Sequence, residues 1–495
     1  MKTATPSPAT PDPIEALCDF SDRHSPIVVK ELRQGLRQPS FVILFLFLQS
    51  VLALAVISAL FSVSSATLSS RVNMGNVISG FFFVLFGLAV FVIQPIRALN
   101  ALSSEQRDST IDLLLLTRLD AWRIVVGKWL CLVTQSALLL VAMLPYLMMR
   151  YFLGGMNLFG ELGILAALFL LGAMMCAAGI GMSAVRSVIL RVIFSVIGVI
   201  AFLVLFQGFG VYYAYSSLSS SAGIFGTMLN TSDWVMLLLG SLLLTAFLTH
   251  ASLEFGATRI APPAENRSTR KRLVALASLV GIPALFAIPE TTGRFPFYLS
   301  LLLIGAVAMA DSLSENPRHV RRMKRGSLWL LRPGWPPGAV FSLLVLGICA
   351  LWGMLISSAF AARPGFDYDT HMRWMQVVGV CLFMVAQPAL IVAIFRPHDS
   401  EPSNLYLTGL LGSLALGLVL LMVGTAMGSH ESICFVFFPA FPVLGLGLLQ
   451  YPTGGKVLVF FIIAAVYLFG AAWIGYRLWK PYAVTKPSTA TPPPA

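Results

Sequence analysis

The sequence predicts an all-α integral membrane protein, a polytopic helical bundle of about twelve transmembrane helices plus one re-entrant segment. Three observations predict it. Hydrophobic residues make up 57% of the 495-residue chain and charged residues only 11%; a soluble domain carries about 25% charge to coat its surface. Mean hydropathy is +0.85. The apolar residues fall in runs near the roughly 20 residues that a helix needs to cross a bilayer, separated by short polar loops.

Residues 1–25, rich in Pro, Thr and Ser, are expected to be a disordered cytoplasmic N-terminus. No apolar core of a signal peptide follows Met1, so the first membrane helix is expected to act as its own insertion signal. The 26–40 stretch reads as an amphipathic interfacial helix. Ile27, Leu32 and Leu36 fall near one face, while Lys30, Glu31, Arg33 and Arg37 supply the charge.

Membrane spans are predicted near 41–61, 77–96, 127–148, 161–184, 188–211 and 234–254, then near 273–289, 297–310, 339–360, 374–395, 405–427 and 456–476. The apolar 433–449 stretch is broken by Pro439 and Pro442, which makes it the re-entrant element. Residues 255–272 form a basic cytoplasmic linker carrying Arg259, Arg267, Arg270, Lys271 and Arg272; residues 481–495 form a disordered tail.

Charge fixes the expected orientation. The stretch before residue 41 and the loops 97–126, 185–191, 255–272 and 311–338 are basic, whereas 62–76 holds only Arg71 and 212–232 no Lys or Arg. Cytoplasmic loops are the ones enriched in Lys and Arg, so the N-terminus is expected in the cytoplasm. The same pattern accounts for the net charge of +12, and nucleic acid is not an expected partner.

Several function classes fall away. Glu161, Asp233, His250, Glu254 and Asp311 sit near segment ends, and the span centres carry almost no ionisable group. An ion-coupled carrier keeps such groups at mid-membrane despite their cost. No HExxH occurs, and the scattered Cys18, Cys131, Cys176, Cys349, Cys381 and Cys434 lack metal-ligand spacing. Gly127-Lys128 and Gly455-Lys456 do not complete a phosphate-binding GxxxxGK[ST] loop. The chain therefore offers no cofactor site of its own, and any ATP must be bound by a partner subunit.

The most informative stretch follows the second span. Ser109 and Asp112 make a capping-box pattern, and Ile111, Leu114, Leu115 and Leu119 then recur at helical spacing. In sequence order the stretch carries Glu105, Arg107, Thr110, Ile111, Leu113, Leu114, Leu115, Thr117, Leu119, Gly127 and Lys128. Upstream, Pro26, Lys30, Glu31, Arg33 and Arg37 precede the first span. These two motifs resemble those of the membrane subunit of a type-2 ABC (ATP-binding cassette) transporter, over residues 26–254. Ser109 stands where that family has Gly, and Arg118 where it has Pro.

The resemblance implies a six-span permease core over 41–254 and a coupling helix near 105–123. Glu105, Arg107, Thr110, Asp112, Leu114 and Thr117 would meet a groove of a cytosolic ABC ATPase subunit. It also implies an exporter in a prokaryotic cytoplasmic (inner) membrane. A complex would hold two ATPase subunits with either a homodimer of this chain or an intramolecular pseudo-dimer. Residues 273–480 form a second membrane domain, either accessory helices or a degenerate second permease copy. The copy is suggested by Ser312-Leu-Ser-Glu315, which echoes Leu102-Ser-Ser-Glu105.

Two other classes stay open at this point: an integral-membrane enzyme acting on lipid-linked substrates, and a non-transporting scaffold. Arg363, Asp367, Asp369, His371 and Arg373 crowd one external loop, read as solvated rather than metal-binding. Tyr212, Tyr213, Tyr215 and Trp234 read as an interfacial aromatic belt. Gly172, Ala173, Ala177, Gly179 and Gly181 read as a close helix-packing face.

Overall fold

The computed structural model describes residues 26–63, 80–103, 120–151, 158–185, 187–188, 190–196, 198–199, 231–261, 266–288, 294–315, 329–360, 367–395, 402–426, 439–440, 442, 444–445 and 454–484. No strand occurs among them. The helices are α1 (Pro26–Arg37), α2 (Pro39–Val63), α3 (Gly80–Asn100), α4 (Ala121–Tyr151), α5 (Leu158–Ser183), α6 (Thr231–Ile260), α7 (Ser268–Ala287), α8 (Arg294–Leu313), α9 (Trp335–Phe360), α10 (Tyr368–Phe395), α11 (Pro402–Ala426) and α12 (Gly454–Val484). Proline opens α1, α2 and α11, at the position where its missing N–H costs nothing.

Among the described residues nine helices are long and apolar enough to cross a membrane: α2, α3, α4, α5, α6, α8, α9, α10 and α12. The outer faces of these helices are as apolar as their inner faces. On α2, Phe41, Leu44, Leu48 and Leu52 are buried, yet Ile43, Phe47, Leu54 and Phe61 are exposed, the last at 77%. A helix apolar all round and uncovered on one side has lipid as its solvent. The protein is an all-α, multi-pass membrane protein.

α7 and α11 stand at two further predicted spans, and α7 opens with Arg270, Lys271 and Arg272. The 188–211 prediction lies mostly outside the described residues, as do 1–25, most of the aromatic belt and the 485–495 tail. Of the Pro-broken stretch, Pro439, Ala440, Pro442, Leu444 and Gly445 are described, in short turns. The Pro439 carbonyl accepts from Tyr467 Oη at 2.7 Å and the Ala440 carbonyl from Gln387 Nε2 at 2.9 Å. Non-helical backbone is thus satisfied by side chains of α12 and α10, as apolar surroundings demand.

The chain divides into two compact units, Met1–Cys176 with Gly198–Ser217, and Ala177–Ile197 with Leu218–Ala495. The packing boundary therefore falls inside α5 rather than at 254, and α6 packs on α7 and α8. In the first unit Phe41, Leu48, Leu52, Phe82, Phe86, Val90, Leu139 and Met143 form the core. In the second, α10 against α12 and α8 against α7, α9 and α10 bury Phe297, Leu301, Ile304, Phe341, Phe383 and Phe460.

α3 is not regular. Residues Ala89–Ile93 form a π turn, followed by an α segment Gln94–Asn100. An unbroken α-helix in phase with the buried Phe83, Phe86 and Val90 would bring Arg97 and Ala101 inward, at 3.6 residues per turn. The extra residue of the π turn brings Ala98, Leu99 and Leu102 inward instead and leaves Arg97 half-buried.

The small residues of α5 pack closely within each unit. Gly172 faces Val90, and the Ala173 carbonyl accepts from Trp129 Nε1 at 2.9 Å. A Cβ at Gly181 would lie 2.6 Å from the Ser252 carbonyl oxygen of α6, so only glycine fits without a backbone shift.

Candidate functional site

The first unit gathers its polar side chains where α1, α3 and α4 meet. α1 lies on α4 because Gly35 leaves room: a Cβ there would stand 2.9 Å from Cys131 Sγ. Lys128 Nζ donates to Glu31 Oε1 at 3.2 Å, with side-chain exposures of 8% and 23%. Cys131 Sγ donates to the Glu31 carbonyl at 3.2 Å. The pre-membrane motif and the Gly-Lys that closes the second motif, about a hundred residues apart, are thereby joined through one carboxylate and one ammonium.

Beside this pair sits Arg97. Its Nη1 donates to Gln94 Oε1 at 3.1 Å and Gln135 Oε1 at 2.6 Å, and its Nη2 to Gln38 Oε1 at 3.1 Å. The guanidinium also lies 5.6 Å from the Phe41 ring centroid. Three amide oxygens, from α3, from α4 and from the α1–α2 junction, and an aromatic face hold one cation, with no carboxylate among its described partners. Each such bond contributes about 1.5–3 kcal/mol, less than breaking a buried ion pair costs. Gln94 is fully buried, and its Nε2 has no partner among the described residues. The junction can therefore exchange hydrogen bonds without stranding an opposite charge, which suits an element with two arrangements.

Of the predicted interfacial residues, only Glu31 turns into this junction; Lys30, Arg33 and Arg37 are exposed. The predicted coupling residues Glu105, Arg107, Thr110, Asp112, Leu114 and Thr117 lie outside the described residues, as does the Ser109–Asp112 capping pattern. Their flanks are firmly seated. Leu102 and Ser103 are buried at the end of α3, and Ala121, Ile124 and Val125 at the start of α4. Asp120 caps α4, accepting from Trp122 N–H at 3.3 Å. Arg97 escaped the sequence reading because it counted only as a loop cation; Gln38, Gln94 and Gln135 carried a signal, as amides inside or beside apolar runs.

The second unit has its own polar node, and here the predicted 255–272 linker is corrected. α6 continues to Ile260 and α7 starts at Ser268, so only 261–267 connects them. Arg267, Lys271 and Arg272 are buried rather than solvated, whereas Arg270 stays exposed. Glu254, 1% exposed, pairs with Arg267 at 3.2 Å and Arg270 at 3.7 Å, and Lys271 pairs with Asp311 at 2.9 Å. Arg272, 2% exposed, pairs with Glu315 at 2.8 Å and donates to the carbonyls of Leu330, Arg332 and Gly334. Gly334 adopts φ 127°, a conformation that disfavours side chains, and its N–H donates to Glu315 at 3.0 Å. Carboxylates that close the ends of α6 and α8 neutralise the basic run and let it fold inward.

The 363–373 cluster also differs from a loop. Asp367 precedes α10 and caps it, accepting from Asp369 N–H at 3.2 Å and from the Thr370 hydroxyl. The Thr370 bond holds the Asp367 carboxyl below its ordinary pKa. His371 turns inward, 3% exposed, and shares a 2.5 Å hydrogen bond between its Nδ1 and Tyr298 Oη. Asp367, Asp369 and Arg373 stay exposed, so these residues do not converge; Arg363 lies outside the described residues.

No protein-family model, curated protein or solved structure matches the chain.

Proposed function

We propose that this chain is the membrane-spanning permease subunit of an ATP-binding-cassette transporter, acting as an exporter and driven by a separate cytosolic ATPase. The Glu31–Lys128 pair is the observation that supports this reading best. It couples the interfacial helix to the start of α4, the helix that follows the stretch read as the coupling helix near 105–123. Closure of the ATPase pair on ATP would press Glu105, Arg107, Thr110, Asp112, Leu114 and Thr117. The displacement would pass to both flanks, the end of α3 and the start of α4, and through Lys128 and Arg97 to α1 and α2. No bond is made or broken in this chain; the work is a bias between two packed arrangements.

In this reading the N-terminus is cytoplasmic in a prokaryotic inner membrane. Twelve spans and a re-entrant element over 433–449 complete the bundle, and two ATPase subunits serve either two copies or one pseudo-dimeric chain. The decisive experiment is a pull-down of the detergent-solubilised full chain from native membranes, wild type beside Glu105→Ala/Arg107→Ala. An ATPase that co-purifies with wild type and is lost from the variant supports the proposal. Its absence from both samples removes it.

A further inference from the structure

The second unit contains a part-open cavity of about 240 Å³. It lies where the end of α5, the C-terminal part of α6, the start of α7 and the end of α8 come together, with α11 alongside. The space exists because these helices turn small side chains to one place: Ala178 of α5, Ala251 of α6, Ala275 of α7, and Ala308 and Ala310 of α8 all line it. Phe194, Phe247, Phe255, Val274 and Val307 close it with carbon.

The polar side chains on its wall are already engaged within the unit. Lys271 Nζ donates to Asp311 Oδ1 at 2.9 Å, which leaves that pair without net charge. Ser252 donates to the Leu248 carbonyl at 2.8 Å, Ser314 to the Asp311 carbonyl at 3.0 Å, and Tyr406 to the Val385 carbonyl. His250 faces Glu254, its Nε2 4.0 Å from Oε1. An ion entering this space would lie against carbon or would have to break the Lys271–Asp311 pair, and both are costly. A hydrogen-bonding ligand would find the donors and acceptors of the wall taken.

We infer that this cavity binds a small, uncharged, apolar molecule that reaches it from the bilayer. Size and the absence of charge are what it selects. The 240 Å³ exceeds the roughly 150 Å³ of an apolar cavity that takes up benzene. It falls short of the roughly 300 Å³ at which pockets for drug-sized ligands begin. Three phenylalanine rings, Phe194, Phe247 and Phe255, suit an aromatic guest, which can pack edge to face against them. A lipid acyl chain reaches through half of the roughly 30 Å hydrocarbon core, more chain than this space encloses. The cavity belongs to the second unit and does not depend on ATPase coupling, so it stands or falls apart from the transporter proposal.

The test is photolabelling of the full chain in phosphatidylcholine vesicles with an uncharged phenyl diazirine, with labelled residues mapped by mass spectrometry. Labelling of Phe247 and Phe255 should saturate, whereas that of Leu238 and Leu242, on the exposed face of α6, should rise in proportion to the probe. Naphthalene should displace the saturable label at least about tenfold more effectively than 2-naphthoate, compared at equal concentrations in the bilayer. Ala251→Phe fills the cavity from α6 and should lower the saturable labelling about tenfold while leaving Leu238 and Leu242 unchanged. Ala310→Leu fills it from α8 and decides the matter if Ala251→Phe fails to fold. Labelling that does not saturate, equal displacement by naphthoate, or saturable labelling undiminished in the folded variants overturns the inference. A saturable site seen only in the delipidated chain in detergent, and absent in vesicles, reassigns the cavity to a lipid chain and overturns the small-molecule assignment.

Discussion

Arg272 and Glu315 meet at 2.8 Å across 43 residues of sequence, and their contact folds the 329–334 turn onto the start of α7. Both ends of the contact have second duties: Arg272 saturates three carbonyls and Glu315 accepts the Gly334 N–H. Arg272→Met leaves a buried carboxylate without its cation, so it should destabilise the second unit by about 3–5 kcal/mol. Thermal unfolding in detergent will read this as a lower midpoint. Glu315→Gln, which keeps an acceptor for Gly334 and all three carbonyl bonds of Arg272, should cost less; an equal loss would mean that the ion pair, not the carbonyl bonds, carries the contact.

The Glu31–Lys128 pair predicts a charge-swap result. Glu31→Ala and Lys128→Ala should each destabilise the first unit by about 1.5–3 kcal/mol, and the two losses should not add. Glu31→Lys with Lys128→Glu should recover part of the stability that either single reversal loses. Additive losses in the double-mutant cycle would show that the two side chains act independently.

Two glycines on α5 should respond to alanine with opposite sign. At Gly163 a Cβ meets nothing within 4 Å, so Gly163→Ala should stabilise the helix by about 1 kcal/mol. At Gly181 the same methyl meets the Ser252 carbonyl oxygen at 2.6 Å, and α5 and α6 must separate. Overpacking of this kind costs about 1–3 kcal/mol. Unfolding midpoints of the two variants, measured side by side, check the contrast.

Asp367 predicts a pH dependence outside the membrane. Its folded-state pKa lies below the ordinary value because Thr370 donates to the carboxylate. The stability it contributes is therefore present above the ordinary carboxylate range and is lost as pH falls through the lowered value. Melting of wild type and Asp367→Asn should differ at neutral pH and converge under acid. A constant gap would locate the effect elsewhere.

The bundle was legible in the sequence because each span needs only a run of apolar residues, and both faces of α2 carry one. The partners of polar groups were not legible. Glu31 and Lys128 belong to separate motifs, and nothing in either motif's spacing says that they touch. The run Arg270-Lys271-Arg272 reads as part of a cytoplasmic linker because its neutralising groups, Glu254, Asp311 and Glu315, lie in other segments of the chain. Asp367 and His371 looked like neighbours in a loop. One helical turn separates their fates, the first capping α10 in solvent and the second turned to Tyr298.

The π turn in α3 holds one residue more than the α turn it replaces. If that residue were drawn into regular helix, the Arg97 end would advance by about 1.5 Å and swing by about 100° relative to the Phe82 end. α3 is thus built as a screw with slack in its thread, in which a shift along the axis at Asn100 would be tied to a rotation at Gln94.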